Sequence, residues 1–367
     1  MAWDSKSGTL NTTTLSDDEY WSLFNYVYVG GAKKTSTYKF ALIKAILDNL
    51  LNNIPTEDGQ EILYSNLFEK FAESYWNLVV KYNLKQKHND SKGSISKIEQ
   101  IFKEAVVINP ILQNIEFANI EKSTQVKLTE KVQKECKANV LGALWGDFQG
   151  NIYAFDKVNG DKITLSHGAY EFCLRHKMEL EKLNYYAWAK FLESINEEKL
   201  LYKVISKIET SLPERKPLDV FRKILFEEFE QNNCFYCGKK LSSIAIHVDH
   251  FIPWSFVKED KLWNFVLSCP ECNINKSDKL PSKSFISIIH NRNNLLLNNL
   301  STDSFVKQQF SNYKQDLIPN LWQYAFYSGF KLLNHNQHIQ YHIDPHFGEL
   351  KVADSGFNYS SKTEGNI

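Results

Sequence analysis

Four of the six cysteines stand as two pairs, Cys234-x-x-Cys237 and Cys269-x-x-Cys272, and residues 238–268 lie between them, 31 in all. Two C-x-x-C knuckles at that separation can close one tetrahedral four-thiolate site. Thiolates suit Zn²⁺, and such a site staples a small loop-rich unit that could not otherwise hold together. A secreted chain of this size could use an even cysteine count for disulfides. The paired spacing argues for metal instead. So does the N-terminal stretch MAWDSKSGTLNTTTLSDDEYW, which lacks a charged start followed by an apolar core. Cys136 and Cys173 stand alone and read as small buried apolar residues.

The knuckles enclose His247-Val248-Asp249-His250, then Phe251-Ile252-Pro253. Adjacent residues of a strand point to opposite faces, although strand ends and bends can let both reach one site. Pro253 ends the strand. A loop holding Asn264 follows, Val266-Leu267-Ser268 reads as a second short strand, and Pro270 starts a helix through Asn273 to Lys276. A helix start with an amide side chain and a lysine makes an edge suited to phosphate and metal. Phosphodiester hydrolysis needs an activated water and charge relief on the leaving oxygen. A histidine, with an unperturbed pKa of about 6.5, can take the water's proton near neutral pH. Asp249 and Asn273 offer hard oxygen ligands, which favour Mg²⁺ or Mn²⁺ over zinc.

The order C-x-x-C, D-H-x-x-P, Asn, C-x-x-C-N-x-x-K resembles the HNH endonuclease family in its zinc-stapled form. The resemblance covers about 50 of the 367 residues. It implies a ββα-metal unit with His250 as general base and Asp249 as a metal ligand. It further implies that Asn264 supports the loop and the base, that Asn273 takes the last metal-binding position, and that Lys276 takes a frequent basic position. His247, two residues before Asp249, is a further candidate, although a strand histidine more often packs or bonds a backbone carbonyl. The motif after a long upstream region looks like the layout of bacterial restriction or anti-phage nucleases. That layout implies DNA as substrate and control by a partner such as an ATPase or by a homodimer. Two alternatives remain: a zinc-ribbon module that binds nucleic acid without cutting, and a homing-type nuclease.

The rest of the chain predicts an α+β protein, mostly helical before the motif. Helical spacing runs through TSTYKFALIKAILDNLLNNI, with Ser36 or Thr37 as cap, through Glu61 to about Tyr82, and through 101–107 and 124–144. NIYAFDKVNGDKITLSHG alternates around Asn159-Gly160, a strong hairpin signal. Helix then resumes, and SLPERKPLD (211–219) reads as a linker. The expected organisation is 1–150 as a recognition or partner-binding region, 151–219 as hairpin, helices and linker, 220–300 as the nuclease unit, and 301–367 as a C-terminal extension. Gly30-Gly31-Ala32-Lys33-Lys34-Thr35 misses the phosphate-loop spacing. His335, His338, His342 and His346 cluster in a stretch that reads as a strand interrupted by Pro345. The aromatic segments WNLVVKY, YYAWAKFLESI and LWQYAFYSGF read as helical core.

Lys+Arg and Asp+Glu are both 43, so the chain is neutral overall, unlike most nucleic-acid binders. Residues 231–300 nevertheless hold eight basic side chains against five acidic ones. Among these, Lys239, Lys276, Lys279 and Lys283 are the candidate phosphate contacts. No run of 18 apolar residues spans a membrane, and the expected location is cytoplasmic.

Overall fold

The computed structural model describes residues 5–88, 94–209, 218–229, 231–242, 245–299 and 304–333. The histidine cluster at 335–346 and most of the 211–219 linker lie outside the described residues. The first part of the chain forms α1 (Asp17–Val29), α2 (Tyr38–Asp48), α3 (Tyr64–Trp76), α4 (Lys97–Ile108), α5 (Lys122–Asp147), α6 (His167–Arg175), α7 (Lys177–Ile195) and α8 (Val204–Glu209). Local chemistry sets several of these starts. Ser16 and Glu19 close a capping box on α1, and Ser96 and Glu99 do so on α4. Thr37 occupies the cap position of α2 without capping it. Its hydroxyl instead lies 2.9 Å from both the Gln86 side-chain oxygen and the Tyr75 hydroxyl.

Five short strands weave through these helices: β1 (Ser7–Gly8), β2 (Ile54–Pro55), β3 (Gln60–Leu63), β4 (Tyr153–Asp156) and β5 (Lys162–Leu165). They form one antiparallel sheet in the order β1-β4-β5-β3-β2. The hairpin expected at Asn159-Gly160 is β4–β5. Its connection is wider than a two-residue turn, and Asp156 Oδ1 accepts from the Val158 and Asn159 N–H groups. The helix expected from Glu61 begins only at Tyr64. Gln60–Leu63 is extended because it pairs with β5, Ile62 facing Ile163, about a hundred residues along the chain. Trp76 and Trp188 are fully buried and Tyr75 packs against Trp188 at 5.4 Å, so the first two aromatic segments build the core, whereas LWQYAFYSGF buries Leu321 and Trp322 and leaves Phe326 and Tyr327 exposed. Cys136 and Cys173 are buried within it. Among the described residues no helix is long and apolar enough to cross a membrane.

After α9 (Asp219–Lys223) come β6 (His247–His250), α10 (Trp254–Val257), β7 (Phe265–Ser268), α11 (Pro270–Lys276), α12 (Phe285–Asn299), α13 (Ser304–Gln309) and α14 (Leu317–Tyr327). β6 and β7 form an antiparallel pair with His247 opposite Ser268 and His250 opposite Phe265. The fold is therefore α+β, as expected, with a small ββα unit in β6, β7 and α11.

Buried charges join this unit to the helical part. Lys177 and Glu181 on α7 are each 2% exposed and bond at 2.7 Å. Glu181 also accepts from Lys258, which follows α10, and Lys177 reaches the Phe256 carbonyl at 3.3 Å. Asn52, beyond α2, donates to the Glu259 carboxylate at 2.7 Å. On the other side, Trp322 of α14 donates to the Pro281 carbonyl at 2.9 Å. Tyr324 of the same helix donates to Glu171 on α6 at 3.2 Å.

Candidate active site and metal centre

The first knuckle is a tight backbone turn. Gly238 N–H donates to the Cys234 carbonyl and Cys234 N–H to the Lys239 carbonyl. Gly238 sits at φ 70°, a left-handed conformation that glycine adopts without a Cβ penalty. Phe235 N–H donates to the Leu267 carbonyl at 2.9 Å, which stitches the knuckle to β7. The second knuckle straddles the start of α11, with Pro270 in the first turn, where its missing N–H costs nothing.

The knuckles bring Cys234, Cys237, Cys269 and Cys272 together, all four sulfurs within 4.8 Å of one another. Cys237 and Cys269 are 3.8 Å apart. A tetrahedral zinc with bonds of about 2.3 Å spaces its sulfurs at about that distance. All four cysteines are free thiols. The Cys272 side chain holds the Cys234 thiol down to about 5 while burial pushes Cys237 up to about 11. Four thiols so close cannot all ionise alone, whereas a divalent cation accepts all four thiolates. The set fits zinc. It is the single such convergence of three or more His, Cys, Asp or Glu side chains among the described residues.

Beside this centre lies β6. His247 and Asp249 share a face of the strand and both meet α11. Asn273 Nδ2 lies 2.9 Å from His247 Nδ1. The Asp249 carboxylate accepts from Tyr236 at 2.6 Å and pairs with Lys276 at 3.2 Å. Lys276 is fully buried and also donates to the His250 carbonyl at 2.6 Å. Burial pulls its pKa below the usual lysine range, against the attraction of Asp249. Its position is thus on the carboxylate rather than at the surface.

His250 ends β6 and turns the other way, its ring 4.5 Å from Phe265. Its Nε2 lies 2.9 Å from Asp260 Oδ1. Asn264 is completely buried. It accepts from the Ile252 N–H through Oδ1 at 2.8 Å and donates to the Ile252 carbonyl at 3.0 Å. It thereby fixes the chain just beyond His250. Of the other candidate lysines, Lys239 is exposed and pairs with Glu271 at 3.4 Å. Lys279 donates to the Asn275 carbonyl, and exposed Lys283 lies over the Trp322 ring.

Two residues at this site escape sequence reasoning. Tyr236, inside the first knuckle, reads as a spacer aromatic, yet burial and the Asp249 charge hold its phenol well above the usual range. Asp260 sits in a charged Lys-Glu-Asp-Lys run that looks like solvated loop. Nothing in the pattern ties it to His250.

A two-stranded ribbon and a short helix, with four converging thiols and Asp-His at the strand end, make a ββα unit able to hold a metal. The comparison with protein families agrees. Residues 234–282 match the family model described as HNH endonuclease, a likeness that suggests nuclease chemistry and a nucleic-acid substrate. Neither curated proteins nor solved structures give a match to the chain.

Proposed function

We propose that the protein is a metal-dependent endonuclease that hydrolyses phosphodiester bonds of duplex DNA. His250 takes the proton of the attacking water. Asp249 and Asn273, with His247 beside them, would hold Mg²⁺ or Mn²⁺, whose charge relieves the leaving oxygen. A carboxylate and an amide are acceptors that a hard cation takes, and the cation would share Asp249 with Lys276. Asn264 keeps the turn after β6 in place, and Zn²⁺ on the four cysteines keeps the unit folded. Lys239, Lys279 and Lys283 face the DNA backbone. Residues 220–300 cut, residues 1–150 recognise a target or partner, 151–219 add a hairpin and helices to the sheet and core of 1–150 before leading to the nuclease unit, and residues 304–333 brace that unit. We place the protein in the prokaryotic cytoplasm, in restriction or anti-phage defence, on the layout of one nuclease unit behind a long helical region. A nuclease dangerous to its host suits control by an ATPase partner or by dimer formation.

The observation that carries the reading is the family match over a segment in which His250 is held through one ring nitrogen. The test is incubation of supercoiled plasmid with Mg²⁺ or Mn²⁺ and either wild-type protein or His250→Ala. Wild type should produce nicked and then linear plasmid, and His250→Ala should be slower by a factor of about 10² or more. Equal plasmid survival with both proteins would sink the nuclease reading. Cleavage of RNA alone would overturn the choice of DNA.

A further inference from the structure

His250 is 7% exposed, and its Nε2 meets a carboxylate rather than water. A ring nitrogen that donates to a carboxylate fixes the tautomer and leaves the other nitrogen as an acceptor. That carboxylate, Asp260, lies in a connection between α10 and β7. The residues around it are held from outside the ββα unit. Lys258, in a left-handed conformation at φ 55°, reaches Glu181 on α7. Glu259 accepts from Asn52. Leu262 N–H donates to the Gln309 side chain of α13 at 3.2 Å. The place where Asp260 stands is therefore set by the helical part of the molecule.

Building on the nuclease reading, we infer that Asp260 is a positioning residue for His250, and that the helical part holds it in register through Glu181 and Asn52. The HNH unit is then competent only while docked. A partner or trigger acting on α7 reaches the general base without touching DNA, through a single loop.

The test uses the full chain. Asp260→Ala should lower kcat for plasmid nicking by about tenfold or more with KM unchanged. Asp260→Glu, which keeps the carboxylate, should recover part of that loss. Lys258→Met leaves Glu181 paired with Lys177 and touches neither His250 nor the thiols. It should lower kcat in the same sense, and should add nothing when combined with Asp260→Ala. Proton NMR supplies a readout that does not need catalysis. A slowly exchanging imidazole N–H, assigned by its loss in His250→Ala, should be present in wild type and absent from Asp260→Ala. The inference is overturned if Asp260→Ala nicks at the wild-type kcat, or if wild type lacks that resonance. Full kcat in Lys258→Met overturns the role of the helical part. A wild type that shows the resonance but cuts no nucleic acid removes the nuclease reading and leaves the positioning intact.

Discussion

Asn264 makes two bonds from one amide to the two backbone groups of Ile252, in a place with no access to water. Removing it strands a buried N–H and a buried carbonyl, each worth about 1–3 kcal/mol. Asn264→Ala should therefore lower the free energy of unfolding by about 2–4 kcal/mol, read from urea denaturation followed by tryptophan fluorescence. Trp263 is the adjacent residue and is itself buried. A loss under about 1 kcal/mol would mean that water reaches Ile252 in the variant. Lys276 carries a similar lesson. A sequence presents it as one lysine among several near a nuclease motif, yet its ammonium is consumed by Asp249 and the His250 carbonyl. Lys239, by contrast, lies at the surface, where its pairing with Glu271 is screened and worth little.

The ββα unit was legible in the sequence because its determinants are local. The knuckle spacing, the Asp-His pair, Pro253 and Pro270 all fall within about 50 residues, and each speaks for its own neighbourhood. The zinc staple belongs to this element. The protein should carry one Zn²⁺ per chain by atomic absorption, and Cys272→Ser should release it. A strong chelator should lower the melting temperature of wild type and leave that of Cys272→Ser unmoved. A metal-free wild type with unchanged melting would contradict the staple. What was not legible lies in pairings between distant segments. Gln60–Leu63 merges into the helical pattern that follows it, and its strand partner Lys162–Leu165 cannot be read from position 60. Asp260 was hidden for a related reason. Charged loop residues are usually solvated, and the side chains that bury this loop come from Asn52, Glu181 and Gln309.

At the scale of the molecule, neutrality is a sum over unlike parts. Much of the positive charge near the nuclease unit faces inward, with Lys177, Lys258 and Lys276 all engaged by buried carboxylates. Lys239, Lys240 and Lys283 stay exposed, which leaves a modest surface attraction to DNA. The same network makes stability depend on acidity. Burial raises the Glu181 carboxyl, but the ammoniums of Lys177, Lys258 and Lys44 outweigh it and the repulsion of Asp48, so its pKa falls below the usual 4.5. A carboxyl depressed by folding contributes in full above its unfolded value, and that contribution is lost as pH falls through the lower folded value. Glu181→Gln should thus be less stable than wild type at neutral pH, with the gap narrowing as pH drops below about 4.5. Urea midpoints at pH 7 and at about pH 3.5 give the comparison. A gap of constant size would show that folding does not lower the Glu181 pKa.

The clamp across that seam has a bearing on heredity. Glu181 and Lys258 are 77 positions apart, and Asn52 and Glu259 are 207 apart. Recombination between diverged relatives, with its crossover anywhere between 181 and 258, would join one parent's helix to the other parent's loop. Such chimaeras would inherit every motif residue and still misplace the carboxylate behind the histidine. Viable shuffling would be confined to parents that agree on both contacts, which ties the history of the cutting unit to that of the helices it rests on.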